Sequence, residues 1–445
     1  MNIAIGKFGR SMYFDEKSWS IYAGDDSPKI FYFTLAKRYP QHKFYIVGAS
    51  DFADFKKKNS AIGFGNVFKK VDIPSNIIDL HAQAREFAGK EKCKERTDTH
   101  KKGCEAWRTL DEYVDHLGLK FDLGLFMQGP DASVSVGGEG IICATKPTEA
   151  IPMQMAANYC GPMIHLLNKQ GFPWYNINED PRYVPSNHKD IINHEIFTFS
   201  QIESDKYSVK RLVRYNSGEY VEHKLHFKYA GLERMFMANM PKIDFSNPDH
   251  IEVNGNVYQK KRKFVLTLND GTDRLSYLEK WVLDIHPEEK VYGKWGDEAK
   301  QKHPNTFIEK GIVQMQPEMW ETMFTYVPAF DHRLPNFVTQ KPWKMVYYGI
   351  IPFYDKNSYD TDGYFKEFPD YVKVSSPKEM WEKIDYLYEH RDEYAKLLKQ
   401  FYDILEDKYF NGDFICDTFG PVIDAREKEL NGTTTAPVGR RIIKD

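Results

Sequence analysis

Short apolar blocks alternate with amphipathic stretches along this chain, the pattern of parallel strands buried between helices. Asn2–Ile5 reads as a strand and Gly6–Arg10 as the loop after it. Ser27-Pro28 opens a helix that runs through Tyr39, with the serine as cap and the proline at the first helical position. Lys43–Val47 is a second strand. Residues 51–120 are polar, rich in lysine and weakly periodic, which predicts an irregular excursion. Phe121–Met127 is the next buried strand. Thr148 caps a predicted helix to about Gln170, with Met155, Tyr159 and Met163 on one face. Trp174–Ile177 then delivers Asn178-Glu179-Asp180-Pro181-Arg182 at the end of a strand.

The period switches to two between 203 and 260. Ser208–Tyr229 alternates about an Asn216-Ser217-Gly218 turn, and Glu252–Tyr258 makes a second hairpin about Asn254-Gly255. This predicts an inserted β element near a domain junction. A second α/β unit begins with the strand Lys263–Leu268, a loop through Arg274, a helix to about Asp284 and a strand at Lys290–Gly293. Gln316–Tyr326 reads as a helix with Met319, Met323 and Val327 on one side. In Asn336–Asp355 a loop leads into a compact helix and a buried strand. Thr339 is the expected cap, Pro342 falls in the first turn, and Gly349 stands where a left-handed terminator belongs. Tyr371–Val374 is a further strand, and Ser376-Pro377-Lys378-Glu379 is a capping box. Helices follow over 377–390, 392–408 and 414–427, and residues 430–445 read as a frayed tail.

Composition narrows the class. At 445 residues the chain exceeds one comfortable core, so two domains are expected, 1–260 and 261–425, the last helix crossing back. Apolar residues make up 41% and charged residues 28%, a globular balance. No run of about 18 uncharged apolar residues indicates a membrane span, and Met1–Arg10 lacks a signal-peptide core. The five cysteines are odd in number and scattered, as suits reduced thiols and a cytoplasmic location. Cys93, His100 and Cys104 fall short of the usual four zinc ligands, so no metal site is expected. The net charge of −3 does not announce a nucleic-acid binder. Lysines are nonetheless clustered at Lys56, Lys57 and Lys58, at Lys69 and Lys70, and over 90–102, 210–214 and 260–263. Such clusters serve as solvated faces or as phosphate contacts.

Three places carry candidate chemistry. Asp180 lies just past a buried strand and before a proline, where a carboxylate could act as a base or simply start a turn. Arg274 follows Asn269-Asp270-Gly271 at a strand-to-helix turn, either an anion ligand or a surface arginine. Lys341 opens the helix of the Asn336–Asp355 stretch.

The order FVTQKPWKMVYYGIIPF resembles the donor-nucleotide segment of the phage DNA β-glucosyltransferases, and YNINEDPRYVP is similar to their strand ending in Asp-x-Arg-x-x-Pro. The resemblance implies an α/β GT-B fold: two Rossmann-like domains facing across a cleft, here with an inserted β-hairpin element. It implies a UDP-sugar donor, glucose or arabinose, and the hydroxymethyl group of 5-hydroxymethylcytosine in double-stranded DNA as acceptor, reached by base flipping. The catalytic carboxylate falls on Asp180 and its neighbouring arginine on Arg182. The diphosphate ligands fall on Arg274 and Lys341, with Gly271, Thr339, Lys344, Gly6 and Lys7 on the donor side. Lys56, Lys57, Lys58, Lys69 and Lys70 would contact DNA. No cofactor is required, a divalent cation is possible, and a monomer in the infected host cell is expected. Lys344 departs from the family, which has a ribose-binding glutamate there. Three rivals remain: a GT-B transferase for a polysaccharide, lipid or small molecule, a nucleotide-sugar epimerase, and a non-catalytic DNA-binding protein.

Overall fold

The computed structural model describes residues 1–5, 13–15, 20–22, 27–47, 61–64, 67–87, 110, 112–127, 174–177, 191–198, 208–214, 220–229, 238, 242–253, 255–271, 274–310, 316–328, 341–357 and 367–432. The N-terminal part holds β1 (Asn2–Ile5), the hairpin β2 (Tyr13–Asp15) and β3 (Ser20–Tyr22), α1 (Ser27–Arg38) and β4 (Lys43–Ile46). A second hairpin, β5 (Ala61–Phe64) and β6 (Val67–Lys70), leads to β7 (Ile77–Ile78) and α2 (Leu80–Phe87). The strands β8 (Leu123–Met127), β9 (Trp174–Ile177), β10 (Ile191–Thr198), β11 (Ser208–Arg214) and β12 (Tyr220–Tyr229) complete it.

Eight of these strands form one sheet in the order β11-β12-β10-β9-β8-β1-β4-β7. Every neighbouring pair is parallel except β11 with β12. The register places Ile3 against both Phe44 and Leu123. Ile3, Ala4 and Ile5 are therefore sealed from solvent on both faces, as a central parallel strand requires.

Two expectations for this part change. The described residues of 51–120 are not irregular, because they supply a hairpin, the sheet-edge strand β7 and helix α2. Asn76 explains the edge: its side-chain amide donates to the carbonyls of Ala36, Tyr39 and His42. That polar anchor leaves no periodic trace. The strands β11 and β12 pair antiparallel with Arg214 opposite Tyr220, and the turn expected between them lies outside the described residues, but the pair does not stand apart. β12 pairs with β10 over Ile191–Thr198 and extends the sheet.

The C-terminal part begins with the hairpin β13 (His250–Val253) and β14 (Asn256–Gln259), where Gly255 has φ of 77°. Next come β15 (Arg262–Phe264), β16 (Leu266–Thr267) and α3 (Arg274–Leu278), which runs on into a π-helical turn over Glu279–Leu283. Then follow β17 (Val291–Tyr292), α4 (Asp297–Lys302), β18 (Phe307–Ile308), α5 (Gln316–Glu321), β19 (Thr322–Tyr326), α6 (Lys341–Tyr347) and β20 (Ile351–Asp355). The chain ends in β21 (Lys373–Val374), α7 (Pro377–Glu389), α8 (Arg391–Lys408) and α9 (Asp413–Leu430).

The single strand expected over 263–268 changes neighbours midway. β15 lies beside β19 and β16 beside β17, both parallel. The segment thus joins β15-β19-β20-β21 to β16-β17-β18. The helix expected over 316–326 stops at Glu321, where the Thr322 hydroxyl bonds back to the Glu318 carbonyl at 2.6 Å. Thr322–Tyr326 is instead a strand buried at every position. Methionines four apart mimic a helix face, whereas burial on both sides marks a central parallel strand. Likewise, only Lys373–Val374 of the strand expected over 371–374 is extended; Asp370–Val372 forms a 3-10 turn.

The serine half of the capping box forms, the Ser376 hydroxyl accepting from the Glu379 amide at 3.2 Å, while the Glu379 carboxylate reaches one residue past the cap to the Ser375 amide at 2.8 Å. Helix α9 returns to the N-terminal sheet. Phe419 meets Phe31 of α1 edge-on at 4.8 Å, and Arg426 donates to the Asp122 carbonyl at 2.8 Å. The helix expected over 148–170 and the tail 433–445 lie outside the described residues.

Candidate functional site

The site grows from the C-terminal ends of β16, β17 and β19. After β16 the chain turns through Asn269-Asp270-Gly271, and three side chains lace this loop to the one after β17. Asn269 Oδ1 accepts the Lys294 amide at 2.9 Å. Asp270 accepts the amides of Gly271 at 2.8 Å and Gly296 at 2.9 Å, one on each carboxylate oxygen. The Trp295 indole donates to the Leu268 carbonyl at 2.6 Å. Gly293 makes the approach possible. Its φ is 153°, and a Cβ there would lie 2.1 Å from the Leu268 carbonyl oxygen.

On this braced loop Arg274 opens α3 and folds back. Its Nη1 donates to the Asn269 carbonyl at 2.9 Å, and its Nε lies 3.0 Å from where a Gly271 Cβ would stand. Glycine keeps that space clear for the guanidinium. From the other direction Lys341, the first residue of α6, donates from Nζ to the Thr267 carbonyl at the end of β16. The Lys341 amine is buried and close enough to the Arg274 guanidinium to feel its charge. Burial first, and repulsion from Arg274 second, bring the Lys341 pKa down to about 7. Two like charges held together in this way form a receptor for a multiply charged oxyanion such as a diphosphate.

Helix α6 is set by its far end. Gly349 has φ of 69°, and a Cβ there would lie 2.6 Å from Phe245 and 2.8 Å from Ile251. Only glycine meets both demands. The buried residues Trp343, Val346 and Tyr347 hold the helix in the core, while Lys344 sits one turn beyond Lys341, half-buried.

Of the residues singled out from sequence, the structure brings together Arg274, Gly271 and Lys341. Lys69 and Lys70 lie on β6, paired in register with Ile62 and Ala61. Asp180, Arg182, Gly6, Lys7, Thr339, Lys56, Lys57 and Lys58 lie outside the described residues, as do Cys93, His100 and Cys104. Among the described residues no group of three His, Cys, Asp or Glu gathers as for a metal, and no helix is long and apolar enough to cross a membrane. Sequence reasoning missed Asp270 and Gly293. The Asn-Asp-Gly turn was a signal for the first; the second carries none, because its partner is a backbone carbonyl distant in sequence.

The architecture is an α/β fold of the GT-B type, with the Asn269–Gly271 loop and the start of α6 at strand ends. The fold is that of the T4 phage β-glucosyltransferase. A mutant of that enzyme in complex with UDP-glucose superposes with a TM-score of 0.50 at 11% identity, covering 94% of this chain and 99% of the other. A second T4 phage β-glucosyltransferase structure, described for substrate binding and catalytic mechanism, gives 0.51 at 10% identity with the same coverage. No protein-family model and no curated protein sequence matches the chain.

Proposed function

We propose that this protein is an inverting glycosyltransferase that moves a sugar from a UDP-sugar to the hydroxymethyl group of 5-hydroxymethylcytosine in phage DNA. One observation carries the reading: Arg274 and Lys341 stand side by side at the ends of parallel strands, where a nucleoside diphosphate needs two cations. The likeness in fold to an enzyme that binds UDP-glucose supports it, as does the sequence resemblance around Asp180 and Lys341.

In this reading residues 1–260 receive the DNA and 261–425 hold the donor. The Asp180 carboxylate takes the proton of the acceptor hydroxyl as its oxygen bonds to the sugar C1. The C1–O bond to the diphosphate breaks in the same step, and the electron pair leaves on a β-phosphate oxygen. Arg274 and Lys341 meet that growing charge. Direct displacement needs no metal, although a divalent ion would assist the departure of UDP. Arg182 and the lysines at 56–58 and 69–70 contact the acceptor strand, phosphate by phosphate.

Incubation with hydroxymethylcytosine duplex and either UDP-glucose or UDP-arabinose, followed by nucleoside mass analysis, tests the proposal. A hexose or pentose increment that disappears in Asp180→Ala is the expected result, and it names the sugar. Donor binding without any increment on DNA would move the acceptor elsewhere.

A further inference from the structure

Lys260 is a lysine in the core, 3% exposed, at the exit of the β13–β14 hairpin. Its Nζ donates to three backbone carbonyls: Thr322 at 2.7 Å, Tyr348 at 3.0 Å and Gly349 at 3.0 Å. The first follows the last residue of α5 and the other two follow the end of α6. A helix leaves its last carbonyls without intrahelical donors and carries negative potential there. One ammonium answers that need for two helices at once. Burial pushes the amine's pKa well down, yet three carbonyls around one nitrogen require three N–H groups, and only the ammonium has them. Its own backbone amide is fixed to the Asp249 carbonyl at 2.7 Å, and the Tyr394 hydroxyl gives Gly349 a second donor at 2.7 Å.

We propose that Lys260 is a positioning residue for the donor diphosphate: it locks the C-terminal pole of α6 and thereby sets where Lys341, at the opposite pole, stands beside Arg274. The inference rests on the proposed donor site. A seven-residue helix is a rod of about 10 Å, and a shift at one end is carried to the other. Core packing of Trp343, Val346 and Tyr347 holds α6 in place, and the Lys260 clamp fixes its position along its axis relative to the strand that begins at Thr322. Lys260 touches no donor atom. It acts through Lys341.

The test is calorimetric affinity for UDP and for uridine, the second lacking the diphosphate. Lys260→Met should weaken UDP about tenfold while uridine changes less than twofold. Lys260→Gln, which keeps two donors, should fall between. In a Lys341→Gln background, Lys260→Met should add less than a further twofold, since the two lie on one line of action. Equal losses for UDP and uridine, or full additivity, would reduce Lys260 to a stability residue and overturn the inference. Hydrogen exchange on the unaltered protein decides the matter if neither variant folds. UDP should slow exchange over 345–350, at the clamped pole, and unchanged exchange there would also overturn it. Failure of the unaltered protein to bind UDP at all would instead fail the donor-site reading.

Discussion

Lys341 carries a pH dependence with a defined sign. In the free protein, burial and then Arg274 bring it from 10.5 to about 7. A diphosphate arriving between the two cations favours the charged amine, so binding above pH 7 takes up a proton. Affinity for UDP should therefore be highest near pH 7 and fall toward pH 9, by up to tenfold per unit. Stability runs the other way. The unfolded chain holds the lysine proton up to 10.5 while the folded chain releases it near 7, so this residue's contribution to stability grows as pH rises between those values. Titration calorimetry at pH 8 in two buffers of different ionisation enthalpy reads the uptake directly, and Lys341→Met should abolish it. UDP affinity that stays level from pH 7 to pH 9 would contradict the charge-pair description.

At the scale of elements, punctuation decided what could be read in advance. Ser376 caps α7 with Pro377 next to it, and Ser27-Pro28 are the first two residues of α1, while Gly255 and Gly349 turn the chain at positive φ. Those residues act on their own backbone, so a single sequence displays them. β19 escaped because a strand buried on both faces has no alternation to show. The change of neighbours at Val265 escaped because it depends on β17 and β19, which lie elsewhere in the chain. The candidate site divides in the same way. Arg274 and Gly271 were legible from a strand-to-helix turn, but the meeting of Arg274 with Lys341 is a fact of packing. The capping box gives a direct check. Ser376→Ala removes the acceptor of the Glu379 amide and should cost about 1 kcal/mol, read as a lower denaturation midpoint with unchanged slope. Loss of less than about 0.3 kcal/mol would mean that Pro377 alone fixes the start of α7.

The whole molecule is held together by where its last helix goes. A chain of 445 residues exceeds the range in which one core forms, and its sheets fall into an N-terminal and a C-terminal group. Helix α9 follows the C-terminal elements in sequence yet packs against α1. Phe419, 1% exposed, meets Phe31 edge-on, Arg426 bonds the Asp122 carbonyl, and Glu427 lies 3.7 Å from the buried His42. His42 is held below its usual pKa, chiefly by burial and next by the Met1 amine. Acid must therefore force a charge into this contact, and its stability declines as pH drops through the ordinary histidine range. A strap of this kind makes the two groups of sheets unfold together. Phe419→Ala should cost about 3–5 kcal/mol by opening a cavity between α9 and α1. Its larger effect should be on cooperativity: unfolding followed by tryptophan fluorescence and by circular dichroism should coincide in the unaltered protein and separate in the variant. Five of the eight tryptophans, Trp281, Trp295, Trp320, Trp343 and Trp381, belong to the C-terminal part, so fluorescence reports mainly on it. Probes that remain coincident in Phe419→Ala would show that contacts other than α9 couple the two groups.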